Sequence, residues 1–467
     1  MIRLIVIAFA GLFMAAPCLA KTYSLNELME IGLKNSKQIK AVEEERTKLN
    51  AQIREYYGKA LPSIDLSANY QYAFAQYSAF TSGGSGGSGG ASFSGIVSQY
   101  QGTEPGAYAL AQGVDMAFAQ FADFSKYIKD QTATVSLSLK QTLFAQGKVS
   151  IGLKIAKLGR ENLETRRQSV TDSTRATIAK MFYAALLTKK SEVVLGESVA
   201  LNKDIYKFSV LRFQVGKTNE LDTLMACMNY ERSVMDHKNL ETAKKVQYLV
   251  LIKQTEIPET FETFDIEGEF PIENYFLSFD QAQPKLLDKN SMLVQLKRLG
   301  SIQDYLVKFA YTDFLPVAFC GASIGKMSQF NADDDITWYD DKKVYAGVSW
   351  NLFNGFQNSQ KIVQAKSDRD NFKNTQRIVT DGLEIGLRNA CEALANSRDN
   401  VVSAQAMVNF AERAYTVAKK GYENGLQTMT EYQNAELGLK NAKLGLHRAQ
   451  FAYYSAVIDV KLLINEL

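Results

Sequence analysis

Histidine is nearly missing from this chain of 467 residues, which has His237 and His447 alone, and cysteine, tryptophan and proline are scarce at four, two and seven. So little imidazole and thiol excludes most zinc-, thiol- and histidine-based chemistry. Cys227, Cys320 and Cys391 form an odd, scattered set without C-x-x-C or any metal-ligand spacing, and Cys18 lies in an N-terminal segment expected to be removed. No disulfide framework, metal or cofactor is expected. The sequence also has no GxxxxGK[ST] phosphate loop, no HExxH and no nucleophile elbow, so no enzyme is expected. Both histidines read as packed or solvated side chains on coiled-coil helices. Asp333-Asp334-Asp335 reads as a solvated loop, since a calcium loop needs a longer series of alternate ligands.

Two further absences bear on location and partners. Beyond residue 20 there is no run of about 18 apolar residues, so no transmembrane helix is available and any membrane contact must be made by strands. The charge is balanced, at 53 basic against 50 acidic residues, which gives no reason to expect a nucleic-acid partner.

What is present is 46% apolar and 22% charged residues, the balance of a folded chain that largely faces water. Residues 1–20 have one basic residue, Arg3, an apolar run from Leu4 to Ala16, and small residues suited to cleavage after Ala20. This is a secretory signal. Pro17 stands directly before Cys18 where a lipoprotein signal would have Ala, Gly or Ser, which argues against lipidation.

Near the C-terminus, Tyr432, Ala435, Leu439, Ala442, Leu446, Ala449, Tyr453, Ala456, Val460 and Leu463 recur at spacings of three and four, a coiled-coil seam. Val401, Ala404, Val408, Ala411, Tyr415, Ala418 and Tyr422 run the same pattern on the other side of Gly425, which therefore sits at the tip of a helical hairpin. An earlier hairpin turns at Gly216, after a proline-free helix from Lys148 that at ~1.5 Å per residue is about 100 Å long. Ser24 with Glu27 predicts a capping box at a first helix, which a break near Asn35-Ser36 divides and Gly58 and Pro62 end. Ile64, Leu66, Ala68, Tyr70, Tyr72 and Phe74 then alternate with polar residues, as do Val135, Leu137, Leu139 and Leu143, giving two strands with one apolar face each. Between them, residues 77–130 carry GGSGGSGG and are expected to be mostly a long mobile loop.

The order then repeats. Ser278 and Leu315-Pro316 follow Ser24 and Leu61-Pro62 by 254 positions, and Leu352-Phe353 and Gly425 follow Leu143-Phe144 and Gly216 by 209. The expected organisation is a signal at 1–20 and a first repeat at 21–255, with strands 63–75 and 133–143, a long helix 148–214 and a helix 219–254. A linker follows at 256–275, then a second repeat at 276–467, with strands 316–325 and 343–353, a long helix 357–423 and a helix 429–463. In that second repeat Val317, Phe319 and Gly321 mark one strand, and Val344, Ala346, Val348, Trp350 and Leu352 the other. Trp338 and Trp350 both lie in this hairpin, where an interfacial girdle would place them.

Leu-Pro before strands one and three, Trp350-Asn351-Leu352-Phe353-Asn354-Gly355 entering the later long helix, and the tips Phe213-Gln214-Val215-Gly216 and Tyr422-Glu423-Asn424-Gly425 occur in a fixed order, twice. In these the whole chain after residue 20 resembles the TolC family of outer-membrane efflux and secretion ducts. The resemblance implies an α+β membrane protein with an internal two-fold repeat. It also implies a homotrimer whose chains each give four strands to a twelve-stranded β-barrel and their helices to a long coiled-coil periplasmic barrel. A four-stranded sheet with open edges is untenable in lipid, which agrees with that implication. The implied partners are outer-membrane lipid, a periplasmic adaptor docking at the tips and an inner-membrane transporter, and the implied function is a passive duct of a tripartite efflux pump or type I secretion system.

On this resemblance Gly216, Lys217, Gly425 and Leu426 are the expected docking tips, and Glu431, Asp222, Asn434, Gln427 and Tyr422 the expected periplasmic constriction. The best-known member closes that end with a tip arginine paired to an aspartate and with two aspartates on the final helix. Here Gln427 stands for the arginine, Asp222 keeps its partner position, and Glu431 and Asn434 replace the aspartates. Thr428 and Glu431 also spell a capping box, a local role for the same carboxylate. The rival reading is a periplasmic coiled-coil adaptor or structural protein without a pore.

Overall fold

The computed structural model describes residues 21–72, 95, 97–98, 105–125, 129–271, 275–331 and 334–467. The signal segment, the GGSGGSGG stretch and the last part of the expected strand 63–75 lie outside the described residues. The chain divides into two compact units, one of Met1–Gln52, Lys154–Val307 and Val363–Leu467, the other of Ile53–Leu153 and Lys308–Ile362. Each unit takes segments from both sequence repeats.

In chain order the described elements are β1 (Lys21–Tyr23), α1 (Leu25–Asn35), α2 (Lys37–Gly58), β2 (Ser63–Tyr72), α3 (Pro105–Ser125), β3 (Gln131–Ala145), α4 (Lys148–Gln214), α5 (Glu220–Thr255), β4 (Phe264–Ile266), α6 (Phe279–Lys289), α7 (Ser291–Tyr311), β5 (Val317–Phe330), β6 (Tyr339–Ser349), α8 (Gln357–Glu423) and α9 (Met429–Leu463). The two long helices, α4 and α8, each have 67 residues and start and end 209 positions apart. Both follow a pair of left-handed residues, Gln146-Gly147 and Gly355-Phe356, so the strand-to-helix turn is repeated although the glycine changes place within it. Ser24 and Glu27 close a capping box at α1, which Ser36 ends.

The helical unit has one large core. Phe182, Ile178 and Leu186 of α4, Leu251 of α5, Leu387 and Leu394 of α8, and Val457 and Val460 of α9 are fully or almost fully buried in it. β1 pairs in parallel with β4, and Tyr23 stacks on Phe264 with ring centroids 5.4 Å apart. Asp265 of β4 accepts hydrogen bonds from the Tyr248 hydroxyl at 2.8 Å and the Lys189 ammonium at 2.7 Å. Burial alone would raise its pKa, but Lys189 and Tyr248 outweigh that and hold the carboxylate below its ordinary range. The expected linker 256–275 therefore contains an ordered strand, because its apolar Phe264 and Ile266 find buried sites and the intervening Asp265 is paired.

The other unit is built on a four-stranded antiparallel sheet of order β2-β3-β5-β6. Its register sets Ile64, Leu139, Ala322 and Val344 in one row and Leu66, Leu137, Ile324 and Lys342 in the next, so one face is mainly apolar. On the other face Ser67, Ser136, Gly325 and Asp341 share a row, with the Ser67 and Ser136 hydroxyls 3.0 Å apart.

Three expectations are corrected here. Within 77–130, α3 forms at Pro105, which fits a first helical position, and continues through alanine-rich sequence, so this part is not loop. β5 runs to Phe330 instead of 325, and Val317, Phe319 and Gly321 lie on the face opposite Ala318, Cys320, Ala322 and Ile324. The apolar face there is built of small residues, which mutes the alternation. β6 spans 339–349 instead of 343–353, because the chain leaves the sheet at Trp350, whose indole N–H donates to the Phe314 carbonyl at 2.9 Å.

Candidate functional site

Each hairpin tip is closed by backbone hydrogen bonds of Schellman type around a left-handed glycine. At the first, Gly216 has φ 71°, its N–H reaches the Phe213 carbonyl at 2.9 Å, and the Lys217 N–H reaches the Arg212 carbonyl at 2.8 Å. At the second, Gly425 has φ 73°, with Gly425 N–H to Tyr422 O at 3.1 Å and Leu426 N–H to Gly421 O at 2.8 Å. The return helices start on Asn219, whose side chain accepts from the Asp222 N–H, and on Thr428, which closes a full capping box with Glu431. Leu426 is 81% exposed and Val215 66%, so each tip presents an apolar side chain to its surroundings.

Behind the tips the two hairpins are joined by an aromatic cluster. Tyr422 stacks on Tyr432 at 5.3 Å, Tyr432 on Tyr415 at 5.8 Å, and the Arg212 guanidinium sits 5.2 Å from the Tyr422 ring and 5.8 Å from Phe208. Ile205 and Ala226 of the first hairpin and Ala418 and Met429 of the second complete it. Burial first, then the Tyr415 hydroxyl, push the Tyr432 phenol far above its usual pKa, so that this phenol stays neutral.

Farther from the tips Glu436 is buried and accepts a hydrogen bond from the Ser198 hydroxyl at 2.7 Å, and Asn202 donates to the same hydroxyl at 3.2 Å. Glu197 pairs with Lys443 at 3.3 Å.

The expected constriction residues occupy different settings. Tyr422 is buried in the aromatic cluster, and the Gln427 side chain folds over Gly421, where an added Cβ would come within 2.9 Å of it. Both serve the packing of the tip. Asp222 accepts from the Thr218 hydroxyl at 2.6 Å, and Asn434 is exposed. Glu431 is exposed and accepts from the Thr428 N–H at 2.7 Å and hydroxyl at 3.0 Å.

Glu431 has a pH consequence. The Thr428 N–H, then its hydroxyl, lower the carboxyl pKa below the ordinary glutamate range. The capping contribution is therefore complete above the unfolded-state pKa and is lost as pH falls through the lower folded value. Glu431→Ala should lower the melting temperature at neutral pH, whereas Glu431→Gln, which still caps, should match the parent there and lose less on acidification. Equal melting curves for all three proteins would show that the box contributes nothing.

Arg212, Ser198 and Glu436 were not singled out by sequence. Arg212 sits four residues before the Gly216 turn, but its aromatic partners are remote in the chain, and Ser198 and Glu436 meet only through the packing of α4 on α9.

The sheet supplies the second functional surface. On its mainly apolar face Leu66 is 75% and Val344 89% exposed, and the turn into α8 exposes Leu352, Phe353 and Phe356 as well. Apolar area of this extent calls for a cover other than water. Among the described residues no helix is long and apolar enough to cross a membrane.

Comparison with known proteins adds a family. Residues 301–466 match the model described as outer membrane efflux protein. No curated protein sequence matches the chain. Among solved structures, the chain is similar to the CmeC outer membrane channel of Campylobacter jejuni, with a TM-score of 0.69 and 18% identity over 95% of this chain and 85% of that one. It is similar also to a membrane protein from Pseudomonas aeruginosa, at 0.72 and 13% over 96% and 91%, and to the outer membrane protein VceC of Vibrio cholerae, at 0.70 and 12% over 94% and 95%. At these identities the likeness establishes the fold.

Proposed function

We infer that this chain is an outer membrane efflux protein of TolC-like fold, a passive duct and not an enzyme, that carries substrates outward across the outer membrane. The observation that carries the inference is the pairing, within one chain, of a sheet with an exposed apolar face and two long helical hairpins turned at left-handed glycines. The fold likeness and the family match over residues 301–466 support it.

In the finer reading, residues 1–20 direct export and are removed, and three copies close their sheets into a twelve-stranded barrel. The mainly apolar face meets lipid and the polar face lines a wet interior, the arrangement of membrane barrels. The Gly216 and Gly425 tips receive a periplasmic adaptor that couples the duct to an inner-membrane transporter. Asp222, Glu431 and Asn434 face the constriction behind those tips, with Tyr422 and Gln427 shaping it from within the chain.

Cell fractionation tests the location. The protein should remain with outer membranes through a carbonate wash and migrate as a trimer in detergent, whereas a monomer released without detergent would overturn the reading in favour of a soluble periplasmic protein. For docking, Lys217→Glu combined with Leu426→Asp leaves both glycine turns intact and should abolish crosslinking to the adaptor and substrate export. Normal crosslinking and export in a correctly inserted double variant would remove the tips from the docking surface.

A further inference from the structure

The mainly apolar face of the sheet carries charge at one end. Along β5 that face reads Ala318, Cys320, Ala322 and Ile324 and then Lys326, and along β6, toward the same end, Val348, Ala346 and Val344 give way to Lys342 and Asp340. Each strand joins its helix at the opposite end, since β2 follows α2, β3 leads into α4, β5 follows α7 and β6 leads to α8. The three charged residues therefore lie toward the end remote from the helices.

They form one cluster. Lys326 is exposed and stands directly opposite Asp340 in the register, and the Lys342 ammonium reaches back along its own strand to the Asp340 carboxylate at 3.0 Å. Lys342 thus leans away from the helices, as a long basic side chain does when it lifts its charge out of hydrocarbon toward headgroups. Two cations share one anion, which leaves a surplus positive charge per chain beside the row of Leu66, Leu137 and Ile324. The next pair in sequence, Lys343–Asp341 at 2.8 Å, lies on the opposite face and does not offset it.

We propose that Lys326 and Lys342 bind the phosphate of an anionic lipid headgroup in the outer leaflet. The proposal rests on the membrane reading of this face. Closing sheets into a barrel uses strand edges and leaves the face itself open to lipid. A phosphate oxygen between the two ammonium groups makes charge-assisted hydrogen bonds to both, while the acyl chains of the same molecule lie against the apolar rows nearer the helices. A soluble anion matches the charge but leaves those rows uncovered, and a zwitterionic lipid covers them but brings its own cation. Asp340 positions Lys342 and also repels the phosphate, so it limits the affinity.

Native mass spectrometry of the detergent-solubilised trimer reads the bound lipid. Phosphatidylglycerol should be retained at one molecule per chain under conditions that strip phosphatidylcholine with the same acyl chains. Lys326→Gln and Lys342→Gln should each weaken retention about fivefold, Lys326→Arg should preserve it, and Asp340→Asn should strengthen it. Lys343→Gln, on the other face, should leave it unchanged. Equal retention of the two lipids by an intact trimer would overturn the site while leaving the duct in place, as would a Lys343→Gln effect equal to that of Lys342→Gln. Displacement by inorganic phosphate, at an ionic strength where chloride leaves the lipid bound, would make this a site for a soluble anion and overturn the lipid assignment. Should the glutamine variants yield no trimer, Asp340→Asn decides alone, and unchanged or weaker retention there overturns the proposal. A parent chain that forms no trimer and needs no detergent would remove the membrane reading and this inference together.

Discussion

Leu137→Arg should abolish stable insertion while Ser138→Arg, its neighbour in sequence, is tolerated. Leu137 lies in the middle of β3 on the apolar face, between Leu66 and Ile324, and is 46% exposed in the single chain. An arginine facing lipid near the bilayer midplane costs about 2–4 kcal/mol, and a trimer would carry it in three copies. Ser138 points to the opposite face, in a row with Asp65 and Lys343, where a wet barrel interior solvates a guanidinium. The readout is the amount of trimer in carbonate-washed outer membranes. In a soluble protein the Leu137 position would face water and the two variants would behave alike, so equal recovery contradicts the membrane assignment of this face.

Phe182→Ala should destabilise the helical unit by about 3–5 kcal/mol, the usual range for truncating a buried phenylalanine. Phe182 is 2% exposed, lies edge-on to Tyr183 at 5.7 Å, and sits so close to Gly268 that an added Cβ there would meet its ring at 3.0 Å. That contact ties α4 to the segment after β4, so collapse of the cavity is hindered on two sides. Phe182→Leu, which keeps most of the volume, should cost well under half as much. Urea unfolding of the detergent-solubilised protein followed by circular dichroism measures both, and a loss below about 1 kcal/mol for the alanine variant would place this ring outside the core.

Much of this architecture can be read from residues because its signals are local. The capping boxes at Ser24 and Thr428, the glycine turns at 216 and 425, and the seam spacing on α9 each act within a few residues, and the structure has them at those positions. What escaped depends on partners distant in sequence or on muted patterns. β4 is three residues long in an acid- and proline-rich stretch, and it becomes a strand only because β1 lies beside it, more than two hundred residues away in sequence. β5 hides its apolar face in Ala318, Cys320 and Ala322, and α3 lacks the polar stripe that usually marks a helix. At the tips, periodicity could mark Tyr422 and Tyr432 as seam residues but could not show Arg212 of the other hairpin lying over Tyr422. The placement of Glu436 against Ser198 likewise follows from how α4 and α9 mesh, which no single helix encodes.

The central claim is that three copies of this chain enclose one continuous aqueous path, and single-channel recording in planar bilayers tests it most directly. Purified trimer added to one side should insert in discrete conductance steps, one per trimer, with a sign of ion selectivity that responds to Glu431→Gln if its carboxylates ring the constriction. A protein that extracts as a trimer yet gives no conductance steps, with or without that substitution, would contradict the account of a duct.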